Sequence, residues 1–299
     1  MQVFKRIGLF LLTNILVVVT IGIAWSLISA FFGLEGINKS MGSLLVFCSL
    51  FGFGGALISL LLSKVMAKWM AGVKVIDPNT NDPTLRHLVN RVHELAARSG
   101  LPRPPEVGIY ESDDVNAFAT GPSKRNALVA VSTGLLRRMS DDEVDGVLGH
   151  EIAHIANGDM VTLTLITGVV NTFAMFFSRI LANLIASNVD EKIRPVVHFA
   201  VVIVGDILFT MLGSMVVSYF SRQREFRADL GGAKYSGRQN MIAALRRLQT
   251  VYQIPADTEE KDMLATMKIS NRKGGGLMSL FKTHPDLEDR IQALQRAAV

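Results

Sequence analysis

Four long apolar segments constrain the fold of this 299-residue chain more than any other feature. They cover about residues 7–34, 41–66, 160–186 and 195–219, in a chain of which 49% is hydrophobic. A helix that crosses a bilayer needs about 20 consecutive apolar residues, and the first two segments exceed that length with almost no charge. We therefore predict an integral membrane protein whose residues 1–72 form an N-terminal transmembrane hairpin of two spans.

The third and fourth segments, within residues 160–219, each contain a charged side chain. Arg179 interrupts one and Asp206 interrupts the other, so these segments are compatible with spanning helices or with buried core helices. The linker of residues 187–194 is short enough to favour an antiparallel hairpin. We predict a second spanning hairpin, in which both charges face protein, water or the membrane interface.

Basic residues predict how the chain is oriented in the membrane. They flank the outer ends of the first hairpin, namely Lys5, Arg6, Lys64, Lys68 and Lys74, whereas its connecting loop contains only Lys39. Because basic residues concentrate on the cytoplasmic side, residues 73–159 and 220–299 are predicted to be cytosolic. The formal charge of +5 suits anionic lipid, and the sequence contains no nucleic-acid recognition motif. The predicted partners are therefore the lipid bilayer and no nucleic acid, and the oligomeric state is left open.

The segment His150-Glu151-Ile152-Ala153-His154 has the H-E-x-x-H spacing of a zinc site. Ser140 and Glu143 form a capping-box signature and Asn157-Gly158 is a stop signal, so the segment is predicted to be helical. Two histidines four residues apart then share a helix face and can bind one metal, with Glu151 beside them as a general base. The alternative is a pair of ordinary helix histidines whose ring nitrogens are hydrogen-bonded.

Two histidines leave such a site incomplete, because catalytic zinc normally takes three protein ligands and keeps one position open. Glu225 and Asp229 are four residues apart and share a face if their segment is helical. One carboxylate can bind the metal while the other accepts a hydrogen bond from a metal-binding histidine. The competing interpretation makes both acids salt-bridge partners of the neighbouring arginines, Arg222, Arg224 and Arg227.

The combination His150-Glu151-x-x-His154 and Glu225-x-x-x-Asp229 resembles the gluzincin metallopeptidases. With its four apolar segments, the whole chain resembles the HtpX family of membrane-bound zinc endopeptidases. The resemblance implies one Zn²⁺ per chain bound by His150, His154 and Glu225, with Glu151 as catalytic base and acid and Asp229 supporting a ligand. It also implies cleavage of misfolded or damaged membrane proteins at the cytosolic side of the bacterial inner membrane, as part of protein quality control.

Strand-like runs at residues 106–110, 115–119 and 127–132 precede the metal-binding helix. We predict a mostly helical α+β protein, in which a cytosolic gluzincin-like domain combines a small sheet with helices. The run at 115–119 is similar to the edge strand that lies beside the substrate in gluzincins, which implies that Asn116 and Ala117 bind the peptide. A plain half-buried strand is the alternative.

The segment around His284 is similar to a His-Pro segment near the active site of the same family. His284 is predicted either to donate a hydrogen bond to an oxyanion or to approach the metal. Equally, it simply precedes a helix over residues 285–298 that has Pro285 at its first position.

Two other classes of protein compete with the cytosolic peptidase. A non-enzymatic zinc-stabilised scaffold or transport component needs a closed four-ligand site, for which His284 is the one obvious fourth ligand. A peptidase that cuts inside the membrane needs His150 in an apolar segment, but the acids of residues 141–145 precede it.

Overall fold

The computed structural model describes residues 41–253 and 280–297, together with isolated positions between residues 19 and 30. The chain divides into two compact units. One contains residues Met1–Leu61 and Thr162–Val217, and the other contains Leu62–Val161 and Ser218–Val299. Most of the first predicted apolar segment, residues 7–34, lies outside the described residues.

The elements of the described chain are eight helices and four strands. In chain order they are α1 (Met41–Met70), β1 (Lys74–Val75), α2 (Pro83–Arg98), β2 (Glu106–Tyr110), β3 (Ala117–Ser123), β4 (Asn126–Ser132), α3 (Thr133–Arg138), α4 (Asp141–Asn157), α5 (Asp159–Ala186), α6 (Arg194–Ser236), α7 (Arg238–Gln253) and α8 (Leu287–Arg296).

Three helices of the described chain, α1, α5 and α6, are long and apolar enough to cross a membrane. They correspond to the second, third and fourth predicted segments. Helix α6 continues well beyond the predicted end at residue 219, because the next stop signal is Gly237, whose φ of 102° suits glycine. The acids Glu225 and Asp229 are therefore carried by the same helix as the fourth apolar segment.

Small residues allow the helices of the first unit to pack closely. A Cβ atom on Gly52 of α1 would lie 2.9 Å from the Gly168 carbonyl oxygen of α5 and would overlap Thr172. A Cβ on Gly205 of α6 would lie 2.7 Å from Cβ of Ser178. Helix backbones in a bilayer associate through such small residues, because lipid supplies no hydrophobic force between helices.

The two charged side chains of the apolar segments contact each other within the first unit. Arg179 Nη1 lies 3.4 Å from Asp206 Oδ1, and Ser178 Oγ donates a short hydrogen bond to the same oxygen. The guanidinium carbon of Arg179 also lies 5.9 Å from the centre of the Phe47 ring. Both charges thus face protein, as one of the predicted alternatives requires.

The second unit contains a mixed sheet with the strand order β1-β2-β4-β3. Strand β2 runs parallel to β4, and the other two pairs are antiparallel. Strand β2 has the predicted bounds, whereas β3 begins at Ala117 rather than at residue 115. Ser132 explains the later start, because its Oγ accepts the hydrogen bond from Asn116 N that a ladder would otherwise use.

The core of the second unit lies on both faces of β4. Leu128 and Ala130 are buried on one face, and Val129 and Val131 are buried on the other, where α2 and α4 pack. The sequence of a strand that is buried on both faces is a continuous apolar run rather than an alternation of apolar and polar residues. Strand β3, at the end of the sheet, contacts α4 and leaves its outer edge unpaired by the described strands.

Helix α8 packs on α7 and the end of α6 through its apolar face. It begins at Leu287 with Asp286 as its N-cap, so the prediction that Pro285 is the first helical residue is wrong. Asp286 has an extended backbone with ψ of 139°, which keeps His284 and Pro285 outside the helix.

Candidate metal centre

Helix α4 forms for the reason that its sequence predicts. The Glu143 carboxylate accepts a hydrogen bond of 2.8 Å from Ser140 N, and Ser140 Oγ accepts one from Glu143 N, so the capping box is confirmed. Gly158 ends the helix in the left-handed conformation, with φ of 73°. His150 and His154 consequently lie on one face, with ring centres 4.6 Å apart and ring planes at 84°.

The three predicted metal ligands converge on one point. His150 Nε2 and His154 Nε2 are 3.1 Å apart. The Glu225 carboxylate places Oε1 3.3 Å from His154 Nε2 and Oε2 3.5 Å from His150 Nε2. One ligand atom from each of the three residues lies within 4.8 Å of the others, as a shared metal ion requires.

Two further carboxylates contact the opposite nitrogens of the same rings. His150 Nδ1 lies 3.0 Å from Asp229 Oδ1, and His154 Nδ1 lies 2.7 Å from Asp159 Oδ2. An Nδ1–H that donates to a carboxylate leaves the lone pair on Nε2, which is the atom that faces the common point. The role of Asp229 in supporting a metal ligand stays a prediction, whereas Asp159 was not predicted.

Arg290 of α8 is a second residue that the sequence interpretation missed. Its guanidinium donates to both oxygens of Asp229, at 2.7 and 2.6 Å, and its Nη1 lies 3.4 Å from Glu225 Oε2. Only 2% of Arg290 is exposed. The available signal was its position on the apolar stripe of α8, together with Leu287, Ile291 and Leu294.

The neighbouring arginines do not pair with Glu225 and Asp229, so that competing interpretation is wrong for the contacts that the structure describes. Arg222 donates to the carbonyl oxygens of Lys282, at 2.6 Å, and Leu280. Arg224 donates to the carbonyl oxygen of Asp159 at 3.1 Å.

Neighbouring charges shift the pKa of His150, Glu225 and Asp229 in the direction that favours the charged form of each group. Burial lowers the pKa of His150, but Asp229 and Glu225 outweigh it and raise that pKa to about 10. Burial raises the pKa of Glu225, but the three surrounding histidines lower it well below its usual range. Burial also raises the pKa of Asp229, and the Arg290 guanidinium outweighs it, so the net shift is downward. The centre therefore combines ionised carboxylates with two imidazoles and the Arg290 guanidinium.

His284 approaches the centre from the segment before α8. Its Nδ1 lies 2.9 Å from Glu225 Oε2, and 34% of its side chain is exposed. Oε2 of Glu225 is buried and has no hydrogen bond of good geometry among the described residues. A buried carboxylate oxygen of this kind requires a partner, and a divalent metal ion fits the two imidazoles and one carboxylate that surround it.

The remaining predicted residues lie on α4 and at the start of β3, which contacts α4. Glu151 is half-buried on α4, and its charge contributes to the raised pKa of Arg290. Asn116 is exposed just before β3, where its carbonyl oxygen accepts a hydrogen bond of 2.9 Å from Ser132 N. Ala117 is the first residue of β3 and pairs with Val131 of β4.

Comparison with known proteins identifies the family of this chain. Residues 83–298 match the sequence profile of "Peptidase family M48". The chain belongs to peptidase family M48. It is 51% identical to "Protease HtpX homolog" of Bacillus pumilus (strain SAFR-032), over 97% of this chain and 99% of that relative. It is 52% identical to "Protease HtpX" of Pasteurella multocida (strain Pm70), over 97% and 98% of the two chains.

A solved structure is similar to this member of the M48 family in fold. The crystal structure of S. mikatae Ste24p matches 97% of this chain and 67% of that chain, with a TM-score of 0.59 and 18% sequence identity. The prediction of an HtpX-family metalloprotease associated with a membrane is confirmed by the family and its relatives. A family of metallopeptidases implies a metal cofactor, and the cluster of His150, His154 and Glu225 fits one. The non-enzymatic alternative is therefore wrong.

Proposed function

We propose that this chain is a zinc-dependent endopeptidase that cleaves misfolded or damaged membrane proteins at the cytosolic side of the bacterial inner membrane. The observation that carries the proposal is the convergence of His150 Nε2, His154 Nε2 and the Glu225 carboxylate, whose ligand atoms lie within 4.8 Å of one another. Two imidazoles and one carboxylate are the protein ligands of a catalytic zinc site that keeps a position open. One zinc ion per chain is expected.

Each residue of the centre has a proposed part in peptide hydrolysis. When bound, zinc supplies a Lewis acid that polarises a carbonyl group and makes water acidic enough to lose a proton near neutral pH. The Glu151 carboxylate takes that proton as the water attacks, and then gives it to the departing amine. His284 donates a hydrogen bond to the oxyanion that develops on the scissile carbonyl. Asp229 holds His150 in the tautomer that binds metal.

The outer edge of β3 is the proposed binding site for the polypeptide. Strand β3 is at the end of the sheet and contacts α4, which carries the two histidines. An extended peptide paired with this edge gains main-chain hydrogen bonds whatever its sequence, which suits a protease of broad specificity. Asn116 and Ala117, where this edge begins, are the residues that we propose to contact the substrate.

A pair of variants on the same helix tests the catalytic assignment. Glu151→Gln should retain one zinc per chain and lose casein cleavage, because an amide cannot accept the proton. Glu143→Gln is the matched control. The Glu143 side chain accepts a hydrogen bond at the capping box, and its replacement should leave casein cleavage unchanged. Normal proteolysis by Glu151→Gln in the purified full-length protein would contradict the proposal.

Cysteine labelling tests the proposed orientation in the membrane. Cys48 is the one cysteine of the chain, so Cys48→Ala provides a background without thiols. Glu191→Cys, at a side chain that is 89% exposed between α5 and α6, should react with an impermeant maleimide on intact spheroplasts. Arg125→Cys, in the turn between β3 and β4, should react only after permeabilisation. The opposite pattern would place the metal centre outside the cytosol.

A further inference from the structure

Asp159 is the closest carboxylate to a ring nitrogen in the described metal centre. Its Oδ2 lies 2.7 Å from His154 Nδ1, whereas Asp229 Oδ1 lies 3.0 Å from His150 Nδ1. Only 2% of Asp159 is exposed, so a carboxylate has been buried beside a histidine rather than solvated. Burial of a charge is costly unless the charge is paired, and His154 is the partner that this geometry provides.

The local chain explains how Asp159 reaches His154. Gly158 turns the chain at the end of α4 with φ of 73°, and Asp159 is then the first residue of α5. The guanidinium of Arg224 also contacts this turn, because its Nη1 donates to the Asp159 carbonyl oxygen at 3.1 Å. Arg224 directly precedes Glu225, so the segment that carries the carboxylate ligand also holds the backbone of Asp159.

We propose that Asp159 is a positioning residue for the metal, which fixes the Nδ1–H tautomer and the ring orientation of His154. This inference rests on the proposed role of His154 as a metal ligand. Asp159 accepts a hydrogen bond from His154 Nδ1–H. The lone pair of His154 Nε2 then points to the position shared with His150 and Glu225. Each histidine of the centre then has its own carboxylate, Asp229 for His150 and Asp159 for His154.

A simpler role for Asp159 is also consistent with its sequence position. An acid in the first turn of a helix interacts favourably with the helix dipole and stabilises the helix start. That role affects the stability of the protein but does not change its affinity for metal. Metal affinity therefore separates the two roles.

The experiment measures zinc affinity of the full-length protein in detergent, by competition with a chromophoric chelator. Loss of a carboxylate that orients a metal-binding histidine typically weakens metal binding about 10–100-fold. We expect a decrease of this size for Asp159→Asn, together with a shifted visible spectrum of the cobalt-substituted protein. Serine is also favoured at helix starts, but it has no charge to place beside His154. We therefore expect Asp159→Ser to lose as much zinc affinity as Asp159→Asn.

Asp145→Asn is the matched control for a buried carboxylate on the neighbouring helix. Asp145 is 7% exposed on α4 and accepts a hydrogen bond of 2.9 Å from Arg91 Nε, so its loss should lower the unfolding temperature. Its zinc affinity and cobalt spectrum should remain those of the unmodified protein.

Two outcomes distinguish the inference from the function on which it depends. The role of Asp159 would be refuted if folded Asp159→Asn or Asp159→Ser had a zinc affinity within about twofold of that of the unmodified chain, with the same cobalt spectrum. Loss of a carboxylate that orients a ligand weakens metal binding by more than about twofold. Undiminished zinc binding by His154→Ala would instead refute the proposed metal centre.

Discussion

Two groups of charged side chains in this molecule lie among apolar residues, and they are built differently. The first, which we call the site cluster, consists of His150, His154, Asp159, Glu225, Asp229 and Arg290. The second, which we call the helix pair, consists of Arg179 and Asp206 in the apolar parts of α5 and α6. In the site cluster the side chains of Glu225 and Arg290 are 2% and 3% exposed, whereas those of the helix pair are 21% and 37% exposed.

The number and direction of the contacts also differ. Arg290 makes two short bonds to Asp229 and a third contact to Glu225, so the charges of the site cluster converge on one point. Arg179 and Asp206 make one contact of 3.4 Å, which joins two neighbouring helices. Full burial of several charges is tolerated where they neutralise one another and can receive a cation. A single partly exposed pair between two helices has no such common point for a cation.

The largest expected effect on stability follows from removing the buried cation of the site cluster. Arg290→Met leaves the Asp229 carboxylate buried beside Glu225 without its guanidinium, which should cost about 3–5 kcal/mol of unfolding free energy. Chemical denaturation of the metal-free protein in detergent measures this value. Arg247→Met is the control, because Arg247 donates only to the Arg138 carbonyl oxygen in the described contacts and should cost about 0.5–1.5 kcal/mol. Equal losses in the two variants would remove the distinction between converging and isolated charges.

The next effect concerns rate rather than stability. His284→Ala should lower kcat about 10²–10³-fold, the usual consequence of losing one hydrogen-bond donor to an oxyanion. Zinc content should stay at one per chain, because the three proposed ligands, His150, His154 and Glu225, remain. Thr283→Ala, at an exposed neighbouring position, should leave kcat unchanged. Loss of zinc from His284→Ala would instead make His284 a fourth ligand.

The helix pair should contribute much less than the site cluster. Arg179→Met, Asp206→Asn and the double variant form a thermodynamic cycle, and polar contacts between membrane helices have coupling energies of about 0.6 kcal/mol on average. Unfolding in mixed detergent micelles measures the coupling, and casein cleavage should be unchanged in all three proteins. A coupling energy above about 3 kcal/mol would show that the helix pair resembles the site cluster after all.

The smallest expected effect belongs to an exposed ion pair in the second unit. Burial raises the pKa of Glu106, but hydrogen bonds from Lys64 and Lys68 outweigh it and hold that pKa below its usual value. The contribution is therefore present above the ordinary glutamate pKa of about 4.3, and it is lost as the pH falls through the lower folded value. Because 41% of the Glu106 side chain is exposed, the contribution should be below about 1 kcal/mol.

Glu106→Gln provides the measurement. Its unfolding temperature at pH 7 should be slightly lower than that of the unmodified chain, and the difference should disappear as the pH falls through the lowered pKa of Glu106. A difference that grows on acidification would reverse the sign of the shift.

Local patterns in the sequence predicted those parts of the centre that a single helix supplies. The spacing of His150 and His154, and that of Glu225 and Asp229, specifies a shared helix face once the segment is helical. The capping box at Ser140 and the stop at Gly158 specified the bounds of α4 for the same local reason.

Contacts between distant segments could not be predicted in this way. Arg290 pairs with a residue 61 positions earlier, and only its charge on the apolar stripe of α8 indicated a buried partner. Asp159 resembles any acid at a helix start, so its contact with His154 has no separate sequence signal. Apolar periodicity does not predict the continuation of α6 past residue 219, because the sequence changes there from apolar to polar residues, although no stop signal lies there.

The geometry of the centre implies that one metal ion is shared by two residues of α4 and one of α6. Anomalous diffraction at the zinc edge, from crystals of the full-length protein grown with zinc, tests it most directly. We predict a single peak per chain within about 2.0–2.2 Å of His150 Nε2, His154 Nε2 and one oxygen of Glu225. A zinc ion bound by other residues, or one that leaves Glu225 paired only with Arg290 and His284, would rule out this shared metal site.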